Sequence, residues 1–199
     1  AAALIESLED FEATHYPLTS LIMAESYYHT GKYRDAELIF KHYSTFNGAD
    51  IEYANHALGY CFKGFYRYNN TAYYWIKNLG NKNAFYDSLA TYNLSLLYSH
   101  TKNYGSAHYY FRNYIRKFGI PINDSQFISS FMQTLIAQGD NPEYKRIFDS
   151  YGNVLSQHER LQALLEIGNY FADRQDYQQA LPYLEAALEI DYNDRLILQ

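Results

Sequence analysis

The sequence of 199 residues has few of the residues on which several classes of protein depend. Its single cysteine, Cys61, excludes an internal disulfide and a cysteine-based metal framework. Four prolines and ten glycines are too few for a disordered or β-rich chain. No apolar run approaches the roughly 20 residues that cross a bilayer. We therefore expect a folded protein that is not β-rich and has no membrane span.

The sequence also lacks the motifs that mark common catalytic sites. It contains no P-loop, no G-x-S-x-G and no dinucleotide fingerprint. His158 and Glu159 lack the second histidine of a zinc protease motif, and His100 and His108 have no cysteine or carboxylate at ligand spacing. We therefore predict no catalytic residue, no metal and no cofactor, and a protein that is not an enzyme.

What the sequence does contain is aromatic and apolar residues in helical periodicity, with 24 tyrosines and 12 phenylalanines. In the stretch 161–194, two stripes follow the 3.6-residue period of an amphipathic helix, and ADRQD separates them. Gly168 and Ala180 lack bulk where two paired helices would approach most closely. One pair cannot bury its apolar face alone, so such pairs stack. The stripes are Leu164, Ile167, Gly168 and Phe171, then Tyr177, Ala180, Leu184 and Ala187.

This pattern resembles the tetratricopeptide repeat (TPR), whose consensus is W-x2-L-G-x2-Y…A-x3-F…P. Leu164 stands in for the Trp, Phe171 for the Tyr, Leu184 for the Phe and Tyr192 for the Pro. The resemblance implies an all-α fold, a right-handed α-solenoid of stacked antiparallel helix pairs.

The pattern recurs in five predicted repeats, at about residues 17–50, 51–85, 86–122, 123–159 and 160–194. We expect one domain over residues 1–199, with residues 1–16 as a capping helix or part of an earlier repeat. Asn193–Gln199 reads as the start of another helix, which favours a fragment of a longer protein. The second helices of the repeats are predicted to start at Tyr33, Tyr68, Tyr104, Asn141 and Tyr177.

Two repeats depart from the TPR pattern. The second also resembles the longer Sel-type repeat, through Leu58, Gly59, Ala72 and Trp75. In the fourth, Tyr144 occupies a position where alanine is expected, so its bulk should push the two helices apart or rotate them.

Charge is distributed unevenly along the chain. Residues 1–60 hold three basic and nine acidic residues, 61–117 hold eight basic and one acidic, and 118–199 hold five basic and twelve acidic. The basic residues of the middle segment could form a site for an acidic partner, or they could simply keep loops and helix ends solvated. The repeat length is also that of the RNA-binding pentatricopeptide family, but the net charge of −6 disfavours a nucleic-acid partner.

The TPR resemblance implies that the first helix of each pair lines a concave groove. The groove of the fourth and fifth pairs should also include Ser129, Leu165 and Glu166, whereas Tyr104 and Tyr177 are expected between helices. Tyrosine suits peptide recognition, because it combines a large contact area with a polar tip. The residues predicted to bind a ligand are Tyr28, His29, Tyr53, His56, Tyr60, Lys63, Tyr92, Asn93, Leu96, Gln133 and Asn169.

Three functions remain open from the sequence. The first is a protein–protein interaction scaffold that binds a peptide or helical segment of a partner. The second is a peptide-sensing domain similar to those of bacterial pheromone receptors, and the third is a subunit that self-associates as a homodimer or larger assembly. The carboxylate clamp of the heat-shock co-chaperones is disfavoured, because only Asn93 matches it and the flanking cations are missing.

Overall fold

The structure is a computed structural model, and it describes residues 16–81 and 83–197. These residues form ten α-helices and one short 3-10 helix, with no strand among them. None of these helices combines the length and hydropathy that a membrane crossing needs. The helices are α1 (Pro17–His29), α2 (Tyr33–Tyr43), α3 (Ile51–Gly64), α4 (Tyr68–Ile76), α5 (Ala84–His100), α6 (Tyr104–Phe118), α7 (Ser125–Ala137), α8 (Asn141–Tyr151), the 3-10 helix Gly152–Val154, α9 (Gln157–Asp173) and α10 (Tyr177–Ile197).

The chain divides into two compact units, residues 1–97 and 98–199, each built from neighbouring helices. In the first unit α1 packs on α2, α2 on α3 and α3 on α4. In the second, α6 packs on α7, α7 on α8, α8 on α9 and α9 on α10. The predicted all-α architecture of helix pairs is confirmed. The single domain over 1–199 stays a prediction, and the capping helix over 1–16 falls almost wholly outside the described residues.

One turn geometry closes all five helix pairs. In each turn the residue before the second helix donates its backbone N–H to the carbonyl oxygen five residues earlier, at 2.8–3.0 Å. This is the bond of a Schellman motif, which satisfies the last carbonyl groups of a helix. The five second helices begin at the residues that the spacing predicts. The preceding turn residues, all with φ between 58° and 78°, are Gly31, Tyr66, Lys102, Gly139 and Gln175.

Side-chain caps fix where three of the first helices begin. Asp50, Asp124 and Ser156 precede α3, α7 and α9, and each accepts a hydrogen bond from the backbone N–H three residues later. Such a cap is worth about 1 kcal/mol, because it satisfies an N–H that has no partner inside the helix. The caps therefore fix the first turn of three helices that carry predicted binding residues.

Glycines on the first helices let the second helices approach closely. A Cβ atom on Gly59 would overlap the indole ring of Trp75, and one on Gly168 would lie 2.5 Å from Cδ2 of Leu184. Trp75 is 1 % exposed and donates its Nε1–H to the carbonyl oxygen of His56 at 3.2 Å. The predicted role of Gly168 as a close-approach residue is confirmed.

The last helix differs from the prediction in two ways. Tyr177 is 65 % exposed, so its expected place between helices is wrong. The buried face of α10 belongs to Ala180 and Ala187, while Tyr177 lies on the solvent side with Leu181 and Leu188. The separate helix expected at Asn193–Gln199 is also wrong, because α10 continues without a break to Ile197. Between Pro182, which already lies inside α10, and Asn193 the sequence contains no glycine or proline that would end the helix.

Candidate functional site

The second unit contains a cavity of about 540 Å³. This volume lies within the range of ligand pockets, roughly 300–1,000 Å³. Most of its wall comes from α7 and α9, which are the first helices of two successive pairs. One residue of α6, one of α8 and Leu155 complete it. We call it the unit-2 cavity, and its lining residues are Tyr104, Ser129, Met132, Gln133, Ile136, Ala137, Tyr144, Leu155, Glu159, Gln162, Ala163, Leu165, Glu166 and Asn169.

The structure brings the predicted groove residues of the fourth and fifth pairs together in this cavity. Gln133 of α7 and Asn169 of α9 both line it, as do Ser129, Leu165 and Glu166. Their assignment as ligand-binding residues stays a prediction. Helical periodicity predicted that these residues share one face of their helices, and all of them line this cavity.

The sequence reasoning missed Tyr104 and Tyr144 as cavity residues. Tyr104 is half-buried and opens onto the cavity, although it was expected between helices. Tyr144 is 6 % exposed and also lines the cavity. In the sequence, Tyr144 could have been recognised as a cavity residue by its size. It occupies a position where alanine is expected, and a larger residue there needs free space beside it.

The charged groups around the cavity are acidic. Burial by itself would raise the pKa of Glu159, but hydrogen bonds from Ser156 and Ser129 outweigh it and hold that pKa below its ordinary value. Burial, together with the negative charge of Glu166, raises the pKa of Tyr144. At neutral pH Glu159 is therefore ionised, whereas the Tyr144 hydroxyl keeps its proton.

In the first unit, side-chain hydrogen bonds connect α3 to α1 and to α5. The Tyr53 hydroxyl donates to the Glu25 carboxylate. The Tyr60 hydroxyl donates to Oδ1 of Asn93 at 3.1 Å. Burial raises the pKa of Tyr60, so this hydroxyl remains a donor at neutral pH.

The ring of Tyr60 is also part of the packing in the first unit. It meets the rings of His56 and Trp75 edge-on, with centroids 5.0 and 5.2 Å away. Burial lowers the pKa of His56, which keeps its imidazole neutral. Tyr60 and His56 therefore contribute to the contact between helices as well as to the predicted face.

Asn93 is the most buried of the predicted residues, at 8 % exposure. Its Nδ2 is buried and has no hydrogen-bond partner in the described parts of the chain. An unsatisfied buried donor typically costs about 1–3 kcal/mol. The Asn93 amide therefore keeps one donor without a partner among the described residues.

The remaining predicted residues of the first unit are more exposed. His29 is exposed, and its Nε2 lies 3.2 Å from the Glu25 carboxylate. Lys63 is exposed, with its Nζ 5.8 Å from the centre of the Tyr60 ring. Tyr28, Tyr53, Tyr92 and Leu96 are half-buried. Within residues 16–81 and 83–197, no group of three or more His, Cys, Asp or Glu side chains could hold a metal ion.

No protein-family model matches the sequence, and no characterised protein matches it by sequence. Solved structures do share its fold. YrrB, described as a TPR protein with an unusual peptide-binding site, is 17 % identical with a TM-score of 0.71, covering 100 % of this chain and 97 % of that chain.

Two structures of MamA are similar as well. MamA of MSR-1 is 14 % identical with a TM-score of 0.64, covering 89 % of this chain and 98 % of that chain. MamA from Desulfovibrio magneticus RS-1 is 11 % identical with a TM-score of 0.65, covering 89 % and 96 %. At these identities the likeness shows the TPR-like fold alone.

Proposed function

We propose that this protein is a non-enzymatic interaction scaffold that binds a peptide or helical segment of a partner protein, with the unit-2 cavity as an anchor point. The observation that carries the proposal is the cavity itself. Polar and apolar side chains of two successive first helices surround a space of about 540 Å³. This volume is sufficient for one or two side chains of a bound segment.

The chemistry of the cavity wall suits a polypeptide. Met132 and Ile136 of α7 offer an apolar surface for a side chain. Gln133, Gln162 and Asn169 are exposed on the same wall, and their amide groups can donate to and accept from a peptide backbone. An apolar surface with a few polar groups beside it is typical of peptide-binding sites.

The likeness to YrrB supports the same proposal. YrrB is described as having a peptide-binding site, and its structure aligns with this chain along nearly its whole length. The proposal also includes the predicted residues of the first unit. Within that unit, the amide of Asn93, whose Nδ2 has no partner among the described residues, is a separate candidate for a hydrogen bond to a peptide carbonyl.

A selection from a random peptide display library tests this proposal, with the full chain as bait. Asn169→Trp places a large ring at the exposed rim of the cavity and should occlude it. Gln178→Trp adds the same ring at an exposed position of α10 outside the cavity lining, and serves as the matched control. We expect selected peptides that bind the wild type and Gln178→Trp alike and lose at least about tenfold in affinity for Asn169→Trp. Selected peptides that bind all three proteins equally would overturn the assignment of the cavity.

A further inference from the structure

We infer that the unit-2 cavity selects a basic side chain, lysine or arginine, of the segment that it binds. The inference rests on the proposed function, because it specifies the residue that occupies the same cavity. Three features carry it: an acidic wall without a basic residue, a tyrosine hydroxyl at the cavity without a partner among the described residues, and apolar surface beside both.

The first feature is the charge of the wall. Glu159 and Glu166 line the cavity, whereas its lining includes no lysine, arginine or histidine. The Glu166 carboxylate makes no ion pair with any other described residue, and its charge acts on Tyr144. Glu159 accepts hydrogen bonds only from neutral serine hydroxyls and a backbone N–H. Neither carboxylate forms an ion pair within the described residues, and His158, whose charge acts on Glu159, lies outside the cavity lining.

The second feature is the hydroxyl of Tyr144. Tyr144 as a whole is 6 % exposed. The hydroxyl has no hydrogen-bond partner in the part of the chain that the structure describes. The cavity borders this tyrosine. The hydroxyl oxygen itself is not buried, so it can accept a hydrogen bond from a ligand that enters the cavity.

The third feature is the apolar surface beside these polar groups. Met132, Ile136, Ala163 and Leu165 line the same cavity. A lysine or arginine side chain has an aliphatic stem and a cationic head, and it buries the stem against apolar surface while the head reaches polar groups. The cationic head would donate to the Glu166 carboxylate and to the Tyr144 hydroxyl oxygen.

Other side chains fit these groups less well. An acidic side chain would meet two carboxylates of the same sign, which is repulsive. A purely apolar side chain would remove water from Glu166 and Tyr144 without replacing its hydrogen bonds. A basic side chain satisfies the carboxylate and the hydroxyl together, so charge and hydrogen bonding select the same occupant.

The test uses the peptides whose binding to the full chain is lost in Asn169→Trp. We expect these peptides to share a lysine or arginine at one position. Exchange of that residue for glutamine should lower affinity for the wild type by about tenfold or more, because a hydrogen bond to a charged group is lost. Glu166→Gln should cause a similar loss of affinity for the original peptide. The peptide that carries glutamine in place of the basic residue should bind Glu166→Gln no more weakly than it binds the wild type.

Matched variants separate this effect from a general loss of charge or structure. Tyr144→Phe keeps the ring and removes only the hydroxyl, and it should weaken the basic peptides by a few-fold. Asp173→Asn on the same helix as Glu166, and Tyr177→Phe at the exposed start of α10, lie outside the cavity lining and should leave affinity unchanged.

The outcomes distinguish the inference from the proposed function. Cavity-dependent peptides without a basic residue, or with a basic residue that glutamine replaces at no cost, would overturn the inference while the proposed function stands. Unchanged affinity in Glu166→Gln would also overturn it. A selection in which no peptide depends on the cavity would overturn both.

Discussion

At the scale of single residues, Gly59 determines how closely α3 and α4 approach. The indole of Trp75 occupies the space where a Cβ atom on residue 59 would lie. Trp75 is the largest of the fully buried side chains and is held by its hydrogen bond to His56. Its rigid ring cannot move aside as the end of a flexible side chain could.

We therefore expect Gly59→Ala to destabilise the protein by about 1–3 kcal/mol, as overpacking of a core typically does. The matched control is Gly105→Ala on α6, where a Cβ atom would meet nothing within 4 Å. It should leave the free energy of unfolding unchanged or raise it by up to about 1 kcal/mol, since alanine favours a helix over glycine. Chemical denaturation measures both, and equal stability of the two variants would contradict the packing described for Trp75.

At the scale of elements, the five turns show one conformation made by different residues. Gly31 and Gly139 adopt their positive φ without cost, whereas Tyr66, Lys102 and Gln175 adopt it as residues with a Cβ atom. A residue other than glycine typically loses about 1–2 kcal/mol in this region. The packing of the helices on either side of the turn compensates for that loss.

A pair of turn substitutions tests this account. Gly31→Ala should lower the free energy of unfolding by about 1–2 kcal/mol. Its Cβ atom meets no other atom within 4 Å, so only the backbone conformation changes in energy. Gln175→Gly should instead leave stability unchanged or raise it, because it removes the same strain. Urea denaturation midpoints compare the two, and a Gly31→Ala variant as stable as the wild type would be the contrary result.

Glu143 links α8 to α6 through ion pairs. Its carboxylate accepts from Arg146 at 2.7 Å and from Arg112 at 3.0 Å. The hydrogen bond from Arg146, the largest effect, holds the pKa of Glu143 below its ordinary value, and the charges of Arg112 and Arg146 act in the same direction. Because the folded-state pKa is depressed, its contribution to stability is present above the unfolded pKa and is lost as the pH falls through the folded value.

Glu143→Gln should therefore be less stable than the wild type near neutral pH, by about 1 kcal/mol for a partly exposed ion-pair network. At about pH 3 the difference should shrink, because the wild-type carboxylate becomes protonated as well. The exposed Glu185→Gln serves as the control. Urea midpoints at the two pH values provide the measurement, and a difference that stays constant with pH would contradict the assigned interaction.

The sequence predicted the elements better than the site that they form. Helical periodicity and the break before each second helix were sufficient to predict where Tyr33 or Asn141 begins a helix. The unit-2 cavity was not predicted, because periodicity gives the face of a helix and not the depth of the space beside it. Tyr144 was identified as an oversized residue, but its place on the cavity wall depends on how α6, α7, α8 and α9 pack together. The Sel-type likeness of the second repeat stays a prediction.

At the scale of the whole molecule, charge separates the basic middle of the chain from the acidic regions around it. Several of the basic side chains already have partners within their own unit. Arg112 pairs with Asp140 and Glu143, and Lys77 lies over the rings of Tyr73 and Tyr74 at 4.4 and 4.9 Å. This favours the interpretation that the basic residues mainly solvate and support their helices. The unit-2 cavity lies in the acidic part, which agrees with a basic occupant.

The NMR signals of the two methionines of the chain can report which unit binds the peptide. Met132 is 3 % exposed and lines the unit-2 cavity, whereas Met23 is 8 % exposed and belongs to the first unit. A sample with ¹³C-labelled methionine methyl groups therefore gives one NMR signal for each unit, and Met23→Leu assigns them. We expect a peptide selected on the full chain to shift the Met132 signal and to leave the Met23 signal in place. A shift confined to Met23, with Met132 unchanged at saturating peptide, would contradict the claim that the unit-2 cavity binds the partner segment.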